Sequence, residues 1–139
     1  MSARSKARKR ALDLLYQADL RELSLDEIVR TEAARAAGEP DRLASWLYAR
    51  EIVDGVHDHR DEIDGLIGDL AHGWTLDRMP AVDRAILRLA SWEILHNPEI
   101  PAAVAIDEAV ELAKSLSTED SAKFVNGVLG RVAEQGGAA

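Results

Sequence analysis

Apolar residues recur at three- and four-residue intervals almost from one end of this chain to the other, and no run alternates long enough to predict a strand. The spacing predicts helices over about 4–21, 25–37, 41–56 and 60–71, then a short turn at 75–78. Three more follow: Pro80 to Leu95, Pro101 to about Ser115, and a last helix capped by Ser117 or Thr118. Breakers fall between them. The first helix ends near Glu22-Leu23, Gly38 and Pro40 stop the second, and His72-Gly73 and Asn97-Pro98 end the fourth and fifth. GGAA at 136–139 predicts a loose tail. There is no internal repeat, low-complexity block or long linker, so the expected fold is all-α: one compact domain over residues 1–139, built from about seven helices.

The faces of these helices differ. In PAVDRAILRLASWEIL, Val82, Ala85, Ile86, Leu87, Leu89, Ala90, Trp92 and Ile94 leave only a narrow polar stripe of Arg84, Arg88 and Ser91. A helix apolar nearly all round is surrounded by others, which makes this one the expected centre of the bundle. Asp83 lies in its first turn, where a carboxylate meets the helix dipole favourably. The first helix carries Ala7, Ala11, Leu14, Leu15 and Ala18 as its core stripe, and a second stripe of Leu12, Tyr16 and Leu20 opposite, with Lys9 alongside. Either other helices cover both stripes or the second one meets another protein. Tyrosine suits an interface, and its hydroxyl needs a partner wherever it is buried.

The last helix raises a sharper question. Val125, Val128, Leu129 and Val132 share its core face, and Phe124, the only phenylalanine, stands about 90° away. Its neighbours along the helix surface are Gly127 and Arg131, with Lys123 on the polar side and Asp120 at the helix start. A glycine inside a helix costs about 1 kcal/mol relative to alanine, which is usually tolerated for close approach. A half-exposed ring beside cations offers a surface on which an unstacked nucleobase can lie. Packing over the edge of the bundle is the competing reading.

Charge adds to this picture. The formal net is −8, yet Arg4, Lys6, Arg8, Lys9 and Arg10 fall within the first ten residues with no acid among them. A basic arm on an acidic body either is a solvated terminus or confines polyanion contact to that arm. No stretch approaches the roughly 20 apolar residues needed to span a bilayer. The N-terminus lacks the apolar segment of a secretory signal, so a cytoplasmic protein without membrane attachment is expected. Without cysteine there is neither disulfide nor thiolate chemistry.

Sharper chemistries find little support. His57 and His59 are two residues apart and diverge on a helix, and His72 and His96 have no matching His or Cys partners nearby; His57 and Asp61 have usable spacing but are only two ligands. No metal site is expected. Asp61 with Asp64, and Asp107 with Glu108, read as solvated helix faces. There is no glycine-rich phosphate loop and no nucleophile elbow, so neither catalysis nor a cofactor is expected.

Three stretches together carry a family likeness: ARKRALDLLYQ at 7–17, VDRAILRLASWEI at 82–94, and IPAAVAIDEAVELAKSLSTEDSAKFVNGVL at 100–129. They resemble the NusB transcription antitermination factors. The resemblance implies an all-helical fold of two packed helical subdomains and a non-enzymatic role. It implies binding of single-stranded boxA RNA in nascent ribosomal transcripts together with NusE, a small-subunit ribosomal protein, and assembly with other Nus factors on RNA polymerase. It places Arg8, Lys9, Arg10, Asp120 and Phe124 on the RNA side, with Lys6 and Lys123 beside them, and Tyr16 and Asp83 on the NusE side. Trp92 stands where many members have tyrosine. The alternative, of a different class, is a helical protein-interaction adaptor whose basic arm is incidental and whose Leu12/Tyr16/Leu20 stripe mediates self-association into a homodimer; the resemblance itself allows monomer or dimer.

Overall fold

A computed structural model describes residues 2–21, 24–38 and 40–137. The described residues form α1 (Ala3–Arg21), α2 (Leu25–Ala37), α3 (Pro40–Asp58), α4 (Arg60–Leu70), a 3-10 turn (Leu76–Arg78), α5 (Ala81–His96), α6 (Ala102–Leu116), α7 (Glu119–Val132) and a π-helical turn (Ala133–Gly137). Every helix the sequence predicts is present, and there is no strand among the described residues. The ending expected near Glu22-Leu23 lies outside them. The chain divides into two compact units, Met1–Asp54 and Gly55–Ala139. No helix is long and apolar enough to cross a membrane, among the described residues.

In the first unit, α1 begins earlier than a solvated terminus would allow. Ser2 Oγ accepts a hydrogen bond from the Ser5 N–H at 3.1 Å, satisfying one of the open donors of the first turn. The basic segment is therefore helical, and helical geometry sorts its cations. Ala7, Arg8, Ala11, Leu12, Leu14 and Leu15 are buried. Ser24 caps α2, accepting from the Glu27 N–H, and Asp26 and Glu27 oppose the positive end of the dipole. Pro40 both follows the end of α2 and opens α3, where its missing N–H costs nothing.

The second unit has α5 at its centre, packed by α4, α6 and α7. Ile63 and Ile67 of α4, Ile86, Leu87 and Leu89 of α5, and Val125, Val128 and Leu129 of α7 are fully buried, each contributing about 1.5–3 kcal/mol through area removed from water. Trp92 packs so closely on the end of α3 that a β-carbon at Gly55 would collide with its indole. The polar stripe of α5 faces protein. Arg88 makes a fork to Asp64, Nε to Oδ1 at 2.8 Å and Nη2 to Oδ2 at 3.0 Å. Asp64 is thus an inter-helix ligand for arginine, contrary to the expectation of a solvated acid. The tail also departs from expectation at its start: Gly136 belongs to the π-helical turn, and a β-carbon there would collide with Leu95. Residues 138 and 139 lie outside the described residues.

Candidate nucleic-acid interface

On α1, at about 100° per residue, Lys6, Lys9 and Arg10 fall within one arc of the surface. Lys6 and Lys9 are exposed and Arg10 is half-buried. Arg4 and Arg8 fall on the other side, one turn apart and in line with Ala11 and Leu15. Arg4 lies over the Tyr48 ring at 5.4 Å from its centroid. Arg8 is only 2% exposed. The arm therefore groups Lys6, Lys9 and Arg10 on one face, leaves Arg4 exposed on the other side over Tyr48, and engages Arg8, expected on the RNA side, within the protein. Its i+3 and i+7 relation to Ala11 and Leu15 was the sequence signal for this. The second stripe of α1 also breaks up: Leu12 is buried, Tyr16 half-buried and Leu20 53% exposed.

The second feature is a cleft in the Gly55–Ala139 unit. It has a volume of about 330 Å³ and is lined by Trp74, Met79, Pro80, Asp83, Asp120, Ser121 and Phe124. Each wall has a local cause. Thr118 caps α7, its hydroxyl accepting from the Ser121 N–H at 2.9 Å, so Asp120 is not the cap and stands exposed in the first turn. Phe124 follows one turn later, half-buried, with its ring meeting Trp74 edge-on at 6.2 Å between centroids and 60° between planes. Trp74 is 53% exposed. It follows a turn in which His72 and Gly73 have φ of 47° and 95°, the second a conformation glycine adopts freely. Arg84 braces the segment beyond it, donating to the carbonyls of Leu76 at 2.7 Å and Met79 at 3.2 Å. In the same turn Asp77 is held below the usual carboxylate range, first by a hydrogen bond from the Thr75 side chain.

Asp83 forms the inner end of the cleft. It is 2% exposed, and its Oδ2 accepts from Ser121 Oγ at 2.7 Å, joining the start of α5 to the start of α7. Ser117 Oγ in turn donates to Ser121 Oγ at 2.9 Å. Asp83 Oδ1 is buried without a hydrogen-bond partner. Asp83, expected on the NusE side, is thus an internal tie, lining the same cleft as Asp120 and Phe124. Lys123 is exposed on the adjoining face of α7. Gly127 does not mark close packing: a β-carbon there would meet only the Arg131 guanidinium, at an ordinary 3.6 Å. Arg131 is itself occupied, donating through Nε to the Leu70 carbonyl at 2.9 Å. Trp74 was missed by the sequence reading. The available signal was an indole placed directly after a glycine turn, outside any helix.

What the arrangement offers is an aromatic edge-and-face corner rimmed by a carboxylate, and, in the other unit, a short cationic helix face. Known proteins share the fold that carries these features. The chain is 64% identical over 134 residues to a protein of Leifsonia xyli subsp. xyli named transcription antitermination protein NusB, covering 96% of this chain and 93% of that one. Its structure is similar to that of T. maritima NusB, with a TM-score of 0.85 and 37% identity over 96% of this chain and 92% of the other. It is also similar to a chain in the crystal structure of antitermination factors NusB and NusE in complex with double-stranded RNA, with a TM-score of 0.81 and 30% identity over 96% and 98% of the two chains. The NusB family model matches residues 5–134, and on that match and these likenesses the chain belongs to the NusB family.

Proposed function

We propose that this protein is a non-enzymatic transcription antitermination factor that binds boxA RNA of nascent ribosomal transcripts together with NusE, within an RNA polymerase complex that includes other Nus factors. Membership of the NusB family supports the role, and the Trp74/Phe124 cleft with Asp120 on its rim is the observation that carries the RNA reading. Lys6, Lys9, Arg10 and Lys123 neutralise phosphates. Arg8 supports the arm from inside. Phe124 stacks on one base, contributing about 1–3 kcal/mol, and Trp74 forms the second wall. Asp120 accepts from a base amino or imino group, and the open oxygen of Asp83 is a second acceptor for a donor that enters deeply. A carboxylate beside RNA is repulsive to phosphate, so these acids select bases more than they add grip.

Tyr16 contacts NusE directly, and Asp83 acts indirectly by holding the beginnings of α5 and α7 in register. Four phosphate contacts at a single-strand slope of about −0.7 each give roughly 50-fold weaker binding between 50 and 200 mM salt. The test is a titration of boxA and scrambled RNA, each with and without NusE. Tight binding of boxA over scrambled RNA, strengthened by NusE, is expected; equal affinity for both RNAs with NusE present overturns the reading. Tyr16→Ala is expected to weaken NusE binding while leaving RNA-only binding nearly intact. Asp83→Lys is the wrong probe, because a second charge type in a site 2% exposed unfolds the tie. Asp83→Asn keeps the shape and isolates the charge.

A further inference from the structure

Away from the cleft, the fold assembles a cluster that the sequence reading set aside. His59 is the residue that precedes α4, Glu62 lies in the first turn of that helix, and His96 is the last residue of α5. The His59 and His96 rings stack with centroids 3.7 Å apart and planes 14° from parallel. His96 Nε2 lies 2.6 Å from Glu62 Oε1. One ligand-capable atom from each of the three residues falls within 4.8 Å of the others. The expectation that His96 lacks a histidine neighbour holds only along the chain, not in the fold.

We infer that these three side chains form a surface binding site for a divalent cation of the zinc class. Two imidazole nitrogens and one carboxylate oxygen are the donor set that borderline ions take, and hard ions such as Mg²⁺ do not select it. The electrostatics point the same way. The hollow beside His96 is lined by Asp61, Glu62 and Asp69 and, among the described residues, by no lysine or arginine. The present contact between His96 and Glu62 uses the position that the ion takes. A carboxylate accepts in that contact, whereas the imidazole tautomer with its proton on Nδ1 presents the Nε2 lone pair to the ion. Stacked rings cannot both aim a lone pair at one ion, so one imidazole turns about its χ2, a broad torsion that costs little at a half-buried residue. Water completes the fourth position. The bound ion then ties the beginning of α4 to the end of α5, at a helix start where His59 makes no side-chain cap bond.

The experiment uses the full chain, freed of metal with chelator and titrated with Zn²⁺ by calorimetry, and in parallel with Mg²⁺. One Zn²⁺ per chain is expected, with a rise in Tm and shifts of the His59 and His96 ring resonances, and no comparable response to Mg²⁺. His59→Ala and His96→Ala are each expected to weaken Zn²⁺ at least about tenfold, and Glu62→Gln to weaken it less. Circular dichroism of each variant establishes that the helices persist. The double variant His57→Ala/His72→Ala, which removes the two histidines outside the cluster, is expected to bind as the unaltered chain does. Absence of Zn²⁺ binding, or binding that survives loss of His59 and His96, or binding lost equally in the His57/His72 variant, overturns the inference.

Discussion

The two surfaces proposed to meet RNA are built from opposite materials. The α1 face gathers Lys6, Lys9 and Arg10 on a helix whose other side is core, and it has no aromatic ring among those residues. The cleft between α5 and α7 has two aromatic walls and two acids, and its lining includes no cation among the described residues. A cationic face grips any polyanion and is screened by salt; an aromatic corner with acceptors responds to the base that enters it. On the proposed reading, affinity and selectivity belong to different units of the chain, and each is expected to weaken without the other.

The largest expected effect is on the cleft. Phe124→Ala should cost about 1–3 kcal/mol of boxA affinity, up to roughly a hundredfold, with little change in Tm, because the ring is only half-buried. Affinity loss that merely tracks the unfolded fraction would remove the stacking role. Next comes the arm. Replacing Lys6, Lys9 and Arg10 by alanine should lower the slope of log affinity against log salt by about 2, for boxA and scrambled RNA alike. A loss confined to boxA would mean that the arm reads sequence and that the division drawn above is false. Asp120→Asn should be milder still: overall RNA affinity holds or rises as repulsion falls, while the ratio of boxA to scrambled binding shrinks. An unchanged ratio would leave Asp120 with no part in selection. Smallest is Gly127→Ala. With only the Arg131 guanidinium near the new methyl, the helix should gain about 1 kcal/mol at most, and RNA binding should not change. Weakened RNA binding in that variant would show that bare backbone at Gly127 is part of the surface.

The sequence reading was strongest where one helix supplies all the terms. The core face of α7, the cap at Thr118 and the surrounded character of α5 are local or periodic properties, and the structure shows each of them. It was weaker for individual cations. Arg8 counts as one of five positive charges in a composition, but one helical turn separates it from Arg4 and sets both apart from Lys6, Lys9 and Arg10.

From the sequence alone came the helices, their buried faces, the charge asymmetry and the suspicion attached to Phe124, because periodicity and composition act within a few residues of each position. Tertiary structure alone decided the partners: Trp74 beside Phe124, Asp83 turned inward to Ser121, Asp64 clasped by Arg88, and His59 stacked on His96. Those pairs lie between 24 and 50 residues apart in the chain, as in Asp64 with Arg88 and Trp74 with Phe124. Only the packing of helices and their connecting turns on one another fixes which side chains at such separations meet.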